Sequence, residues 1–218
     1  MVEDVLTDMS RYGEAKVACE NAYRTAQDAQ GSAASWTIVR SGLIGGDGDV
    51  TGRSGYYPLR FAHPTGTDVL VPDDPTFPVA MIDVEDLADW TLDCAERRIH
   101  GAFNATGPTT PLATVLETAR GVADSTAVPR PVDPAALIAA DVQSWMGPVS
   151  LPLWLDDPDW RWLAAKDTTA ARREGLRTRP LVDTLRAALG YENHREQPGA
   201  AGLSDEDEIR LRRTLPAG

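Results

Sequence analysis

The chain has 218 residues, enough for one large domain or two small ones with ample core, and a formal net charge of −12. That acidity argues against duplex nucleic acid or an anionic membrane surface as partner, because both demand positive patches. Two cysteines, Cys19 and Cys94, fit a reducing compartment and read as small buried hydrophobes. With no basic-then-apolar N-terminal stretch and no segment of membrane-spanning length, a cytoplasmic protein is expected.

In chain order, residues 10–29 are helix-rich, with Val17, Ala18, Ala22 and Tyr23 giving an interrupted apolar face that Gly31 and Ser32 end. This helix carries Tyr12 and Lys16, one turn apart and on one face. The 21 basic residues divide into 19 Arg and only two Lys, Lys16 and Lys166. With five Tyr, a chance Tyr-x-x-x-Lys is expected about 0.05 times in such a chain. Lys is a compact, tunable ammonium, and beside a phenol it favours phenolate, which suits a general acid or base acting on a carbonyl, alcohol or sugar hydroxyl. The spacing alone fits a packing Tyr and a solvated Lys equally well.

Residues 36–40 predict a short buried strand that runs into the glycine-rich exit Ser41-Gly42-Leu43-Ile44-Gly45-Gly46. Helix, turn, strand and loop in that order point to an α/β fold. Residues 47–80 read as long loops with a short strand at 69–71. A strand or turn at 79–82 precedes a helix over 84–97, capped by Asp83 or Asp86, with Leu87, Trp90, Thr91 and Cys94 on one face. Residues 101–105 give another strand. Helices follow to about Val122 and near 134–142, joined by a Pro-bounded connection. Residues 145–162 are irregular and hold four of the six Trp, at 145, 154, 160 and 162, which suit a hydrophobic floor or, less readily, a pocket wall or lid. Helices at 168–173 and 181–189 close the ordered part, and the charged tail 193–218 is expected to be disordered.

Asp47-Gly-Asp49-Val-Thr51-Gly52 opens like a calcium loop, but Pro58 stands where a bidentate Glu is needed. His63, His100 and His194 lie far from one another and from Cys, without zinc spacing, and there is no Gly-x-Ser-x-Gly elbow.

Tyr12-Gly-Glu-Ala-Lys16, then Val39 to Gly46, then Ile82-Asp83-Val84-Glu85-Asp86-Leu87-Ala88, then Phe103-Asn104-Ala105 together resemble the extended short-chain dehydrogenase/reductases, the NAD-dependent epimerase/dehydratase group. The resemblance spans about residues 10–190, and only the Tyr-Lys pair within it is chemically diagnostic. It implies an α/β fold: the last strands of a Rossmann-like parallel sheet plus a mostly helical substrate-binding region. Residues 1–50 would be the Rossmann remnant and 51–192 the substrate side.

By the same resemblance Tyr12 would be the catalytic acid/base, and Lys16 would assist it while holding the nicotinamide ribose of NAD or NADP. The loop Ser41, Gly42, Leu43 and Ile44 would approach the carboxamide. Arg53, Tyr56, Tyr57 and Arg60 would face a small-molecule substrate, and Asp86 would be structural. Family members open with a Gly-rich phosphate cradle that residues 1–11 do not supply, and the Gly45–Gly48 run lacks its spacing. Their catalytic Ser or Thr lies well upstream of the Tyr, and Thr7 and Ser10 are too near for that part.

The chain is therefore expected to be a fragment, a subunit working with a separate Rossmann-type chain, or a reduced non-catalytic descendant that keeps the fold for binding. A homodimer through the Tyr-Lys helix is a further expectation of the resemblance. A strand at 36–40 bared on one side would make the isolated chain poorly soluble or dependent on a partner.

Overall fold

A computed structural model describes residues 11–29, 35–197, 199 and 200–215. The expected helix end at Gly31 and Ser32, and the positions of Thr7 and Ser10, lie outside the described residues.

The first helix, α1 (Tyr12–Asp28), leads to strand β1 (Thr37–Ser41), and after Gly42 to β2 (Leu43–Gly45). Next come α2 (Tyr56–Ala62), β3 (Asp68–Pro72), β4 (Pro78–Val79) and β5 (Met81–Asp83), which runs into α3 (Val84–Glu96). They are followed by β6 (Gly101–Ala105), β7 (Thr110–Pro111), α4 (Leu112–Val122) and β8 (Val128–Val132). The chain continues through α5 (Pro134–Ala139), β9 (Gln143–Ser144), β10 (Ser150–Leu151) and a 3-10 turn at Pro158–Trp160. It ends with α6 (Thr169–Arg173), α7 (Leu181–Glu192) and α8 (Asp205–Thr214).

Short parallel pairings organise these pieces. β1 pairs with β6 from Thr37 opposite Gly101 to Ser41 opposite Ala105, and the same run of chain, as β2, pairs with β5 from Leu43 opposite Met81. Among the described residues β1 has a strand along one edge only. β3 and β8 form a second parallel pair, and β4 and β7 a short antiparallel one. The α/β class expected from the sequence is what is observed.

Two apolar cores result. One lies between α3, α6 and the β1/β6/β5 strands, with Trp90, Cys94, Phe103 and Leu176 at its centre and Trp90 edge-on to Phe103 at 5.8 Å. The larger one gathers around β3, α2, α4 and α7, and includes Tyr57, Phe61, Leu70, Leu116 and Trp154. Among the four clustered Trp, only Trp154 is a floor residue; Trp160 and Trp162 are 56% and 67% exposed. Cys94 is buried as expected, whereas Cys19 is exposed on α1, because the helix face that carries it packs against nothing described.

The tail corrects the expectation of disorder. Ser204 caps α8 by accepting from the Asp207 amide at 3.1 Å, and Leu203, Leu211 and Leu215 enter the larger core. The approach to α8 threads past Tyr56 at Gly202, where φ is +120° and an added Cβ would stand 2.4 Å from the Tyr56 ring. Low apolar content concealed this helix, since three well-spaced leucines and a buried ion cluster suffice to dock it.

Candidate functional site

α1 starts at Tyr12, and the Lys16 Nζ lies 5.3 Å from the Tyr12 ring centroid, over the aromatic face. Both side chains are exposed, Tyr12 by 54%. The helix is tied to the sheet by Glu20, which accepts from Arg40 Nε at 2.8 Å and Nη2 at 2.6 Å, and by Arg24 stacked 5.6 Å from the Trp36 ring centre. The Arg40 hydrogen bond holds the Glu20 carboxyl below its ordinary range.

The expected carboxamide loop follows directly. Ser41 and Ile44 are exposed, Leu43 is buried in the core, and Gly42 donates its amide to the Ala105 carbonyl at 2.9 Å. Within the Gly45–Gly48 run Gly46 packs on Asp83, a carboxylate against which no phosphate would settle. Of the 41–44 loop the Ser41 and Ile44 side chains alone are exposed, and the described residues form no cradle for a cofactor pyrophosphate.

Of the four expected substrate residues, Tyr56, Tyr57 and Arg60 lie together and Arg53 packs elsewhere. Arg53 stacks 4.8 Å from the Trp145 ring centre and donates to Thr51 Oγ1 at 3.1 Å. Tyr57 is fully buried beside Tyr56, ring centres 5.0 Å apart, and burial pushes both phenols well above their ordinary pKa. Arg60 holds the tail: it donates to the Leu203 carbonyl at 2.7 Å and pairs with Asp205 at 2.5 Å and Glu208 at 3.3 Å. Tyr56 and Arg60 line a hollow of about 450 Å³ beneath Gly202 and Leu203. The substrate-facing expectation is therefore corrected for Tyr57, a core residue, and for Arg60, a docking residue.

Asp49, first of interest as a calcium ligand, instead organises its own loop. It accepts from Thr51 Oγ1 at 2.6 Å, Ser54 Oγ at 2.8 Å and the amides of Thr51 and Ser54 at 2.9 Å each. Burial works to raise its carboxyl pKa, and these hydrogen bonds outweigh that and keep it low.

A cleft of about 360 Å³ runs beside β4 and β5 and past the end of β6, between them and the approach to α7. Val79, Met81, Val115 and Leu181 give it apolar walls, and Asp83, Arg179, Thr110 and Thr184 supply polar groups. Asp83 caps α3 through Oδ1, at 3.0 Å from the Glu85 amide, while its buried Oδ2 has no hydrogen-bond partner. Arg179 closes one side. It meets Asp83 at 3.3 Å, Glu85 at 2.9 Å and Asp86 at 2.9 Å, and its amide donates to Asp86 Oδ2 at 2.7 Å. Asp86 is thus structural, as expected, but as an anchor for α7 while Asp83 is the cap.

None of the ten residues expected at the site lines this cleft. Its walls meet only through pairings such as Arg179 with Asp86, 93 positions apart, which leave no local pattern to read.

No protein-family profile matches the chain, and no curated protein matches it in sequence. Solved structures do. The UDP-glucose 4-epimerase of Thermus thermophilus in complex with NAD is 15% identical, with a TM-score of 0.56 over 84% of this chain and 54% of its own. RMD of Pseudomonas aeruginosa complexed with NADPH is 15% identical, TM-score 0.57, over 85% of this chain and 56% of its own. A UDP-glucuronic acid 4-epimerase from Bacillus cereus gives 14%, 0.56, 84% and 52%. The chain spans about half the length of these proteins, and over that half it has an epimerase-like α/β fold.

Proposed function

We propose that this chain is the proton-transfer and substrate side of an NAD(P)-linked oxidoreductase, epimerase or dehydratase, and that a separate Rossmann-type chain supplies the nucleotide cradle. The observation that carries the reading is the Tyr12 phenol with the Lys16 ammonium 5.3 Å from its ring, on a helix leading into the strand of an epimerase-like fold. Tyr12 Oη would take or return the proton of a substrate hydroxyl or carbonyl, with the Lys16 ammonium beside it. When bound, the cofactor supplies hydride acceptance and return. Tyr12, Lys16 and the 41–44 loop would hold its nicotinamide and ribose end, and its pyrophosphate would be held outside the described residues.

Two features support such a partner. β1 has a free edge among the described residues, and the exposed face of α1 carries Tyr12, Lys16, Cys19 and Tyr23 at helical spacing. The chain by itself should therefore show no submillimolar NADH or NADPH binding in a fluorescence titration. In the enzyme assembled with its nucleotide-binding chain, Tyr12→Phe should lower kcat at least 100-fold with cofactor affinity within about twofold. Unchanged kcat would remove Tyr12 from the chemistry.

A further inference from the structure

The cleft beside β5 points to a class of small-molecule ligand of its own, and Tyr12 and Lys16 are not among the residues that line it. Among the residues lining it, Arg179 is the only base, and three carboxylates already surround that guanidinium, at 3.3, 2.9 and 2.9 Å. One positive charge against three negative leaves this wall of the cleft acidic, on a chain already at −12. Of the three, Asp83 is the one that lines the cleft, and its side chain is 1% exposed with Oδ2 lacking a hydrogen-bond partner.

The helix ends nearby do not compensate. The first two amides of α4 are already donated, Leu112 to the Phe77 carbonyl at 2.9 Å and Ala113 to the Pro75 carbonyl at 3.0 Å. At α7 the Asp183 amide is donated to the Pro180 carbonyl at 3.0 Å, and the Asp183 carboxylate in the first turn is paired with Arg186 at 2.7 Å. A diphosphate needs guanidinium, ammonium or free helix-end amides, and here the one guanidinium and the first two α4 amides are already paired.

The remaining walls are neutral. Val79, Met81, Val115 and Leu181 are apolar, Thr110 and Thr184 carry uncharged hydroxyls, and 360 Å³ lies at the small end of the range for small-molecule sites. We infer that the cleft binds a small, uncharged, largely apolar alcohol or carbonyl compound and excludes nucleotide-linked sugars.

The test is direct binding to the full chain, independent of turnover: isothermal titration and ligand-observed NMR with 2-phenylethanol and, separately, with UDP, at physiological salt. The expected result is millimolar binding of 2-phenylethanol and none of UDP at tenfold higher concentration. Thr110→Trp, at a half-exposed position of the cleft, should weaken 2-phenylethanol at least tenfold while the melting temperature stays within a few degrees.

UDP binding tighter than 2-phenylethanol overturns the inference, as does no 2-phenylethanol binding to the unmodified chain. Full retention of binding in a folded Thr110→Trp variant also overturns it. Any of these leaves the Tyr12 experiment untouched, and an unaffected kcat in Tyr12→Phe leaves the binding result untouched, so the two readings fail separately.

Discussion

Glu208 offers the sharpest test of how the tail is held. Its side chain is fully buried, with Oε2 accepting from Thr65 Oγ1 at 2.7 Å and Oε1 from the Leu70 amide at 3.2 Å. Arg60 approaches it at 3.3 Å and Arg212 at 3.2 Å, and Arg212 is also bonded to Asp68. Glu208→Ala would orphan the buried Leu70 amide, at about 1–3 kcal/mol, and remove the shared anion from two guanidinium groups. Breaking a buried pair this way costs about 3–5 kcal/mol.

Asp205 and Asp68 remain to hold the two arginines, which places the expected loss near the lower end, about 3 kcal/mol. For a chain of this size that corresponds to a melting temperature lower by about 6–12 °C. The assay is calorimetry of the full chain beside Glu206→Ala, an exposed position in the same helix, expected to change stability by less than about 0.5 kcal/mol. A Glu208→Ala loss below about 1 kcal/mol, or equal effects at both positions, would show that α8 is not docked through this cluster.

Other consequences are equally checkable. Gly42→Ala would place its Cβ 2.3 Å from Thr106 Oγ1 and 2.6 Å from Thr106 Cβ, and Thr106 is buried, so a loss of about 2–3 kcal/mol is expected in chemical denaturation. Gly13→Ala meets nothing within 4 Å and should be neutral or stabilising by up to about 1 kcal/mol; the reverse order of the two effects would refute the packing at Gly42.

A thiol reagent should modify Cys19 rapidly in the native chain and Cys94 only on unfolding, since burial and the Asp93 charge both push the Cys94 thiol pKa up. Two fast native thiols would contradict this. The Asp49 carboxyl is lowered on folding, so its contribution is present above the unfolded value near 3.9 and lost as pH falls through the lower folded value. The stability gap between the unmodified chain and Asp49→Asn should therefore be constant from pH 7 to 5 and shrink below about pH 4. A gap independent of pH down to pH 2 would sink that assignment.

Local chemistry was legible wherever neighbours in sequence are neighbours in space. The helix after Asp83 could be read from its cap and from Leu87, Trp90 and Cys94, although Thr91, placed on the same face, is exposed. The strands at β1 and β6 announced themselves by short apolar runs ending in Gly or Asn-Ala. β8 did not, because Pro129 and Pro131 argue against a strand. Its pairing with β3 uses Val128, whose amide donates to Thr67 O at 3.2 Å, and Val132, whose carbonyl accepts from the Asp73 amide at 2.9 Å, so the prolines fall on the free edge where a missing N–H costs nothing. α2 was hidden by Pro58 and its glycine-rich approach.

The sequence by itself determined the α/β character, the order of the main strands and helices, and the Tyr12–Lys16 juxtaposition, since each depends on periodicity or on a four-residue helical spacing. Tertiary structure alone decided which side chains meet across long separations. It sent Tyr57 into the core and Arg60 to the tail, ordered residues 205–214 around a buried Glu208, and assembled the cleft from Met81, Asp83, Thr110 and Arg179. Those outcomes depend on how burial and charge are shared among distant elements, and a one-dimensional pattern carries no term for that sharing.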